Sequence, residues 1–418
     1  MTATASSGTP TANTAVVRTR RRTAIRAALL FDGTGATITD PLVVIEDGRI
    51  AAVHSGRRVA APPDAELIEL PGATLLPGLV DTHVHLGFDG SMDPVAALAA
   101  RDDSAALAAM AGAAAAQLRA GVTTVRDLGD RDYLALTLRE AAPALLPTIV
   151  AAGPPITSAG GHCHFLGGAT AGIAGVRAAV RDHVERGVDV IKVMASGGMM
   201  TAGSDPTLPQ FSPAELRALV EEAHRHGLPV TAHAHALDAI VDGIAAGVDG
   251  LEHCTFRSGT DVVVPDEVVA RIVARRIAVG TTVGVVPVEG MVAPPELLTL
   301  LPKLIAAHSR LQREGAVLVA GTDAGIGPIK PHGVLPHGLA SLVDLGMTNA
   351  EALSAGTHVA AQVCGLGDGK GRLAPGFDAD LLAVDGDPLI DITALQRPVA
   401  VIARGERVPA VGTEGQRG

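Results

Sequence analysis

The chain has 418 residues, a formal net charge of −11 and 47% hydrophobic residues, enough apolar content for a large buried core. The acidic balance excludes nucleic acid as the main partner, and no stretch reaches the ~20 uninterrupted apolar residues of a membrane span. Three cysteines, Cys163, Cys254 and Cys364, are too few and odd in number for a disulfide framework, which points to a reducing cytoplasm.

Residues 1–23 are expected to form a disordered leader. They are mostly small and polar, with no apolar segment of the kind a secretory signal carries. The basic cluster at 18–22 reads as an anchor, an address or, most plainly, a solvated run. Residues 24–75 hold short β-type runs around turns at Asp32-Gly33 and Glu46-Asp47-Gly48-Arg49. Residues 371–418 repeat that style around Pro375-Gly376. The two flanks are expected to build one small β-sandwich domain, since a long structureless connection would otherwise be needed.

Residues 76–370 read differently. Apolar β-type runs at 74–85, 122–128, 148–156, 189–194, 229–235, 250–254, 278–283 and 316–323 alternate with helical segments such as 94–119, 172–186, 213–226 and 237–246. This order predicts an α/β fold, a (β/α)8 TIM barrel, for which ~250 residues is typical. The runs lack polar alternation, as strands covered on both faces do. Gly121, Gly187, Gly227 and Gly247 stand just before strands, where a preceding helix needs its C-terminal cap. Histidine, lysine and aspartate collect at the opposite strand ends.

The first of these is His83-Val-His85, directly after Asp81. Side chains two apart on a strand point the same way, so the two imidazoles can grip one metal ion if other ligands arrive. Lys192, His233, His253 and Asp323 each end a later apolar run and would meet them at the barrel's C-terminal mouth. Singly, each has an ordinary explanation as a strand-end imidazole or a solvated lysine; their recurrence favours a metal site. Imidazole and carboxylate ligands without thiolate suit Zn2+, Mn2+, Co2+ or Fe2+ in a catalytic setting.

A protonated Lys192 would repel a cation. It fits if neutral, or if CO2 has carboxylated it to a carbamate bridging two ions ~3.5–4 Å apart. Asp323 would take a proton from a metal-activated water and pass it to the leaving group. The expected chemistry is hydrolysis at a carbonyl or a related electrophile. His162 and His164, in the loop Gly160-Gly-His-Cys-His-Phe165, either polarise a substrate oxygen or satisfy loop carbonyls. His235 faces the same way as His233 and is either a ligand or a substrate contact. Arg126, Asp127 and Glu252 are placed to orient ligands through hydrogen bonds.

The segments Gly121-Val-Thr-Thr-Val-Arg-Asp127, Ile191-Lys-Val-Met-Ala-Ser-Gly-Gly198, Leu251-Glu-His-Cys254, Gly321-Thr-Asp-Ala324 and Pro375-Gly-Phe-Asp-Ala-Asp380 resemble the amidohydrolase superfamily. Within it they resemble the branch of imidazolonepropionase-like proteins and metal-dependent Xaa-Pro dipeptidases. The resemblance runs from about residue 24 to 408 and implies two Zn2+ ions in the barrel. It implies that His83 and His85 hold the more buried ion, that carboxylated Lys192 bridges, and that His233 and His253 hold the second. Asp323 would act as base and acid against the buried ion.

Two places depart from the dipeptidase pattern. Ala234 and His235 stand where a tyrosine usually helps bind the substrate, and the third-strand loop has two histidines in place of one. The loop, together with 199–206, is closer to relatives acting on amides, ureas, carbamates or thiocarbamates. The resulting expectation is a metal-dependent hydrolase of an amide-type C–N bond in a small molecule. The rivals are a one-metal deaminase of a small heterocycle and a barrel that has lost catalysis and serves as a scaffold. Lys192 argues against the first, and the complete ligand set against the second. A homo-oligomer is compatible with all three.

Overall fold

The computed structural model describes residues 22–141 and 145–409. The expected leader lies outside the described residues up to position 21; its last two positions, Arg22 and Thr23, instead open the strand Arg22–Phe31. Arg22 is fixed there by ion pairs to Glu46 at 2.6 Å and Asp64 at 2.7 Å.

Both ends of the chain feed one mixed sheet. Its strands are Arg22–Phe31, Thr37–Thr39, Pro41–Glu46, Arg49–Ser55 and Glu66–Pro77 from the start, with Leu381–Asp385, Pro398–Ala403 and Glu406–Arg407 from the end. Glu66–Pro77 pairs in parallel with Arg22–Phe31 and antiparallel with Leu381–Asp385, so it stitches the two ends together. Because this long strand is bonded on both edges, the ladder is continuous, and the pairing does not divide it into the two sheets of the expected sandwich.

Strand alternation gives the sheet two apolar faces. Ala73, Leu75, Leu381 and Ile402 join Ile25, Leu30 and Val43 in a core of the sheet's own. Leu76, Leu382, Val384 and Val401 belong to the large core of the barrel.

The apolar run 74–85 is two strands in different sheets, broken at Gly78. A Cβ on Gly78 would collide with the Thr123 side chain, so only glycine lets the chain cross from sheet to barrel there. Eight parallel strands follow: β1 (Leu79–Val84), β2 (Val122–Asp127), β3 (Thr148–Ala151), β4 (Ile191–Met194), β5 (Val230–Ala236), β6 (Gly250–Ser258), β7 (Ala278–Gly280) and β8 (Val317–Val319). β1–β3 form one ladder and β4–β8 another. Single bridges join them at the seams, Val84 to Ala324 and Ile156 to Val193.

The result is a TIM barrel-type α/β fold drawn as two arcs. Every residue of β1, β2 and β4 is buried, as strands covered by side chains within and helices without should be. The helices Gly172–Arg186 and Leu237–Ala246 match their expected bounds, and both end on a glycine at positive φ, Gly187 and Gly247. The expected helix 94–119 is split in two, because Asp102 caps a new start at Asp103 through its side chain. Among the described residues no helix is long and apolar enough to cross a membrane.

Candidate metal centre

At the C-terminal ends of the strands, five imidazoles and one carboxylate crowd together. Asp323 Oδ1 lies 3.4 Å from His83 Nε2 and 3.2 Å from His85 Nε2. The ring of His253 is 5.2 Å from that of His83 and 4.6 Å from that of His233. His235 stacks on His253 at 4.5 Å. Two overlapping groups bring their ligand atoms close enough to share an ion: His83, His253 and Asp323, and His233, His235 and His253.

His235, expected on the substrate side, thus comes within ligand reach. His162 lies against His233, with ring centroids 4.7 Å apart. His164 is set apart: it is exposed, with its Nδ1 engaged by Gly161 O at 3.0 Å.

Lys192 is 1% exposed, and its Nζ has no hydrogen-bond partner. Burial pulls its pKa down to about 8, against the opposing pull of Glu252 and Asp323. The neutral amine, the form able to take up CO2, is therefore accessible near neutral pH.

Hydrogen bonds behind the candidate ligands explain their aim. Glu252 is buried and accepts from His83 Nδ1 at 2.9 Å, Arg126 Nη2 at 2.9 Å and Thr231 Oγ1 at 2.7 Å. A carboxylate only accepts, so the His83 proton sits on Nδ1 and the Nε2 lone pair faces the mouth. His85 Nδ1 donates to Gly129 O at 3.0 Å, with the same effect. Asp127 fixes that loop by accepting from Leu86 N and Gly129 N. His253 Nδ1 pairs with Thr282 Oγ1 at 3.0 Å, and His308 Nε2 donates to His253 O at 2.8 Å. His233 differs, since its Nε2 is engaged by Gly197 O at 3.0 Å.

Asp81 ties β1 to the Asp323 segment, accepting from His83 N and from both N and Oγ1 of Thr322. Lys330 Nζ donates to Thr282 O and Thr322 O, each at 2.7 Å, and so clamps the turns after β7 and β8. Neither Lys330 nor His308 stands out in the sequence, because their partners are backbone carbonyls that only the folded turns bring to them. His253, Thr282 and Asp323 all have positive φ, at 65°, 46° and 61°. Such backbone is rare for residues with a Cβ and is tolerated where the surroundings impose it. Here it turns the side chains inward at the strand ends.

Burial and, for His83, the nearby Lys192 charge push His83 down to about 4. Burial takes His162 to about 4 and His235 to about 3, and holds His233 and His253 well below the ordinary imidazole value. Neutral imidazole is the metal-binding form. Burial pushes Asp323 the other way, but His83 and His85 outweigh it and keep the carboxyl ionised far below its usual range. His85 is the exception: burial lowers its pKa, but Asp323 more than reverses this and raises it above the ordinary imidazole value, so an ion bound there would displace a proton. Imidazole nitrogens, one ionised carboxylate and a partnerless buried amine make a donor set suited to divalent transition metals.

The sequence profile of the amidohydrolase family matches residues 74–408, which include every one of these side chains. The chain belongs to the amidohydrolase family. Ochratoxinase of Aspergillus niger is 30% identical over 440 residues, spanning 94% of this chain and 88% of that protein. Its crystal structure superposes with a TM-score of 0.80 at 28% identity, covering 94% and 96% of the two chains. A Xaa-Pro dipeptidase with methionine bound in its active site superposes with a TM-score of 0.82 at 27% identity, covering 92% and 99%. Imidazolonepropionase of Deinococcus deserti is 27% identical over 402 residues, 85% of this chain and 88% of that one. These likenesses agree with the imidazolonepropionase-like branch that the motifs indicated. This amidohydrolase is a metal-dependent hydrolase acting on amide C–N bonds.

Proposed function

We propose that this amidohydrolase uses two divalent ions, Zn2+ foremost, to cleave a dipeptide, an N-acyl amino acid, or an amide, urea or carbamate of similar size. His83, His85 and Asp323 would hold one ion and His233 and His253 the other, with Lys192, carboxylated by CO2, as the ligand they would share. The observation that carries this reading is the Lys192 amine, buried without a partner beside neutral imidazoles. An ammonium there would have no direct partner and would feel Glu252 and Asp323 only from beyond hydrogen-bond distance, whereas a carbamate turns the cation into an anion with two donor oxygens. When bound, the ions supply Lewis acidity toward a carbonyl oxygen and lower the pKa of water to about 7.

The chain's own groups supply the proton traffic. Asp323, ionised and beside His83 and His85, takes the proton of the attacking water and delivers it to the departing nitrogen. The C–N bond breaks, the acyl carbon gains the water oxygen, and the products are a carboxylate and an amine (or, from a urea or carbamate, the corresponding carbonic acid derivative). His162, neutral and with a free buried Nδ1, orients the substrate oxygen. His235 contacts the substrate from the second group of imidazoles, and His164 is left a place at the rim.

The same reading takes the two arcs as a closed (β/α)8 barrel over 76–370. The separate core around Ile25, Leu75 and Ile402 supports a small sandwich domain of 24–75 and 371–418. Three free cysteines suit a reducing cytoplasm, and the acidic chain suits a small-molecule substrate, with no nucleic acid or membrane partner and self-association as the remaining contact.

Metal analysis of the purified protein tests the centre: one to two transition-metal equivalents are expected, and none overturns it. Lys192→Ala should lose about one equivalent and nearly all activity, with part regained in short carboxylic acids. Unchanged metal content in that variant would remove the bridge from the reading.

A further inference from the structure

We propose that Gln210 and Thr201, both in the segment after β4, hold His162 at its place in the mouth and are positioning residues for the hydrolysis. The inference rests on the reading of His162 as the group that orients the substrate oxygen, and it names what fixes that group there.

His162 is carried by the loop after β3, whose base is closed by the short parallel pairing of Thr157–Ser158 with Ala169–Thr170. Each buried N–H of such a loop needs an acceptor. Inside the loop, Gly161 N donates to Ser158 O, His164 N to Gly161 O, Leu166 N to Cys163 O and Gly167 N to His164 O. The N–H groups of His162 and Cys163 find their acceptors on side chains beyond β4 instead. His162 N donates to Gln210 Oε1 at 2.5 Å, and Cys163 N donates to Thr201 Oγ1 at 2.9 Å. His162, Cys163 and Thr201 are all buried. Side chains that answer loop N–H groups are ordinary architecture. These two stand out because they come from the loop of another strand and act on adjacent residues, one of them His162 itself.

Glutamine suits its post because one side chain must both accept and donate. Gln210 Nε2 donates to the carbonyl of Met194, the last residue of β4, at 2.8 Å and to Thr157 Oγ1 at 3.3 Å. These partners settle which end of the amide is which, since a carbonyl needs the nitrogen and an N–H needs the oxygen. Gln210 N donates to Ala195 O at 2.9 Å, so its backbone and side chain both hang from the end of β4. The amide thus joins the strand that bears Lys192 to the loop that bears His162.

The space around the ring is tight. It lies between the His233 ring, with centroids 4.7 Å apart, and Gly198, where a Cβ would collide with His162 Nε2. A Cβ on Gly161 would likewise press on Gln210 Oε1 and Thr157 Oγ1. Cys163 has a φ of 56°, a backbone conformation that side-chain-bearing residues keep only where their surroundings impose it. Thr201 grips the chain at that residue. Without the two bonds the turn at 162–163 is free to relax, and a ~1 Å displacement of a reacting or orienting group is enough to cost on the order of 100-fold in rate.

The test uses the metal-loaded full chain with N-acetyl-L-methionine, Leu-Pro and 4-nitroacetanilide as probes. Gln210→Ala should lower kcat ~10–100-fold with little change in KM, and Thr201→Val, which removes a hydroxyl at nearly constant volume, ~10-fold. Thr201→Ser restores the hydroxyl and should recover most of the loss. Melting temperature and metal content should stay close to wild type in all three variants, which general damage to the mouth would not allow. In a His162→Ala background, Gln210→Ala and Thr201→Val should each change kcat by less than ~2-fold, because the group they hold is gone. Crystals of Gln210→Ala should show the His162 ring displaced by ~1 Å or more from its place between His233 and Gly198. Should Gln210→Ala fold poorly, Thr201→Val carries the same comparison.

A ring that stays in place, or a fall in kcat that recurs in full when His162 is already Ala, overturns the positioning role and leaves the hydrolase standing. If His162→Ala is as active as wild type, the reading of His162 fails, and the part of Gln210 and Thr201 in the reaction falls with it. If no probe is cleaved by protein that holds metal, the hydrolase reading fails instead, and the position of the ring still decides whether Gln210 and Thr201 hold it.

Discussion

Glu252 organises the charge beneath the centre. It is 1% exposed and joins a proposed ligand, His83, to a buried cation, Arg126, through one carboxylate. Burial alone would raise its pKa, but His83 and Arg126 more than reverse this and hold it ionised. Glu252→Gln keeps the shape and removes the charge. Arg126, 4% exposed, is then left without an anion, a loss of ~3–5 kcal/mol when a buried pair is broken. The amide can still accept from His83 Nδ1, so the ring keeps its place but becomes a poorer ligand. Metal affinity should fall ~10–100-fold, as it does when such supporting groups are changed. Denaturant melts and metal titration read the two effects separately, and a variant with unchanged metal affinity would show that Glu252 serves Arg126 alone.

The loops after the strands complete what single residues begin, and glycine decides how close they come. A Cβ on Gly198 would collide with His162 Nε2. The backbone there is not in the left-handed region, so Gly198→Ala costs little in folding and acts by displacing the His162 ring. A ~10–100-fold fall in kcat is expected, the weight of one positioned acid–base or orienting group, with a melting temperature close to wild type. An unchanged kcat would remove His162 from the reaction.

At this scale much was legible in the sequence. The eight strands and the capping glycines follow from local periodicity and backbone chemistry, and the candidate ligands stand out because each closes an apolar run. The break at Gly78 was not legible, because its cause is Thr123, on a strand that pairs only once the barrel forms. Nor was the place of His235, whose spacing from His233 puts both on one face but does not say that both meet His253. Lys330 and His308 were hidden for the same reason: a lysine in a glycine-rich loop and a histidine on an amphipathic helix look solvated until their carbonyl partners arrive.

Across the whole molecule the centre depends on elements far from it in sequence. The strand Glu66–Pro77 sends Leu75 into one core and Leu76 into the other, so the terminal sheet and the barrel share a wall. On the far side, the helix Pro295–Arg313 reaches inward through His308, which is 6% exposed and bonded to His253 O. Burial lowers the pKa of His308 below its ordinary value of 6.5, and the bond to that carbonyl only partly opposes the shift. In the unfolded chain His308 takes up a proton below about 6.5, while in the folded protein burial holds protonation off to a lower pH. Its contribution to stability is therefore complete above pH 6.5 and declines as the pH falls below that. Whole-protein melts mix this with groups of both signs, because Asp81, raised to about 7 by burial, and His85, raised by Asp323 against its burial, pull the opposite way. The difference between wild type and His308→Gln, measured on metal-free protein, isolates the one group. It should be largest at pH 7.5 and shrink by up to ~1.4 kcal/mol per pH unit toward pH 5. A difference that stays flat or widens in acid would mean that His308 is charged in the folded protein and bonds to the His253 carbonyl as a cation.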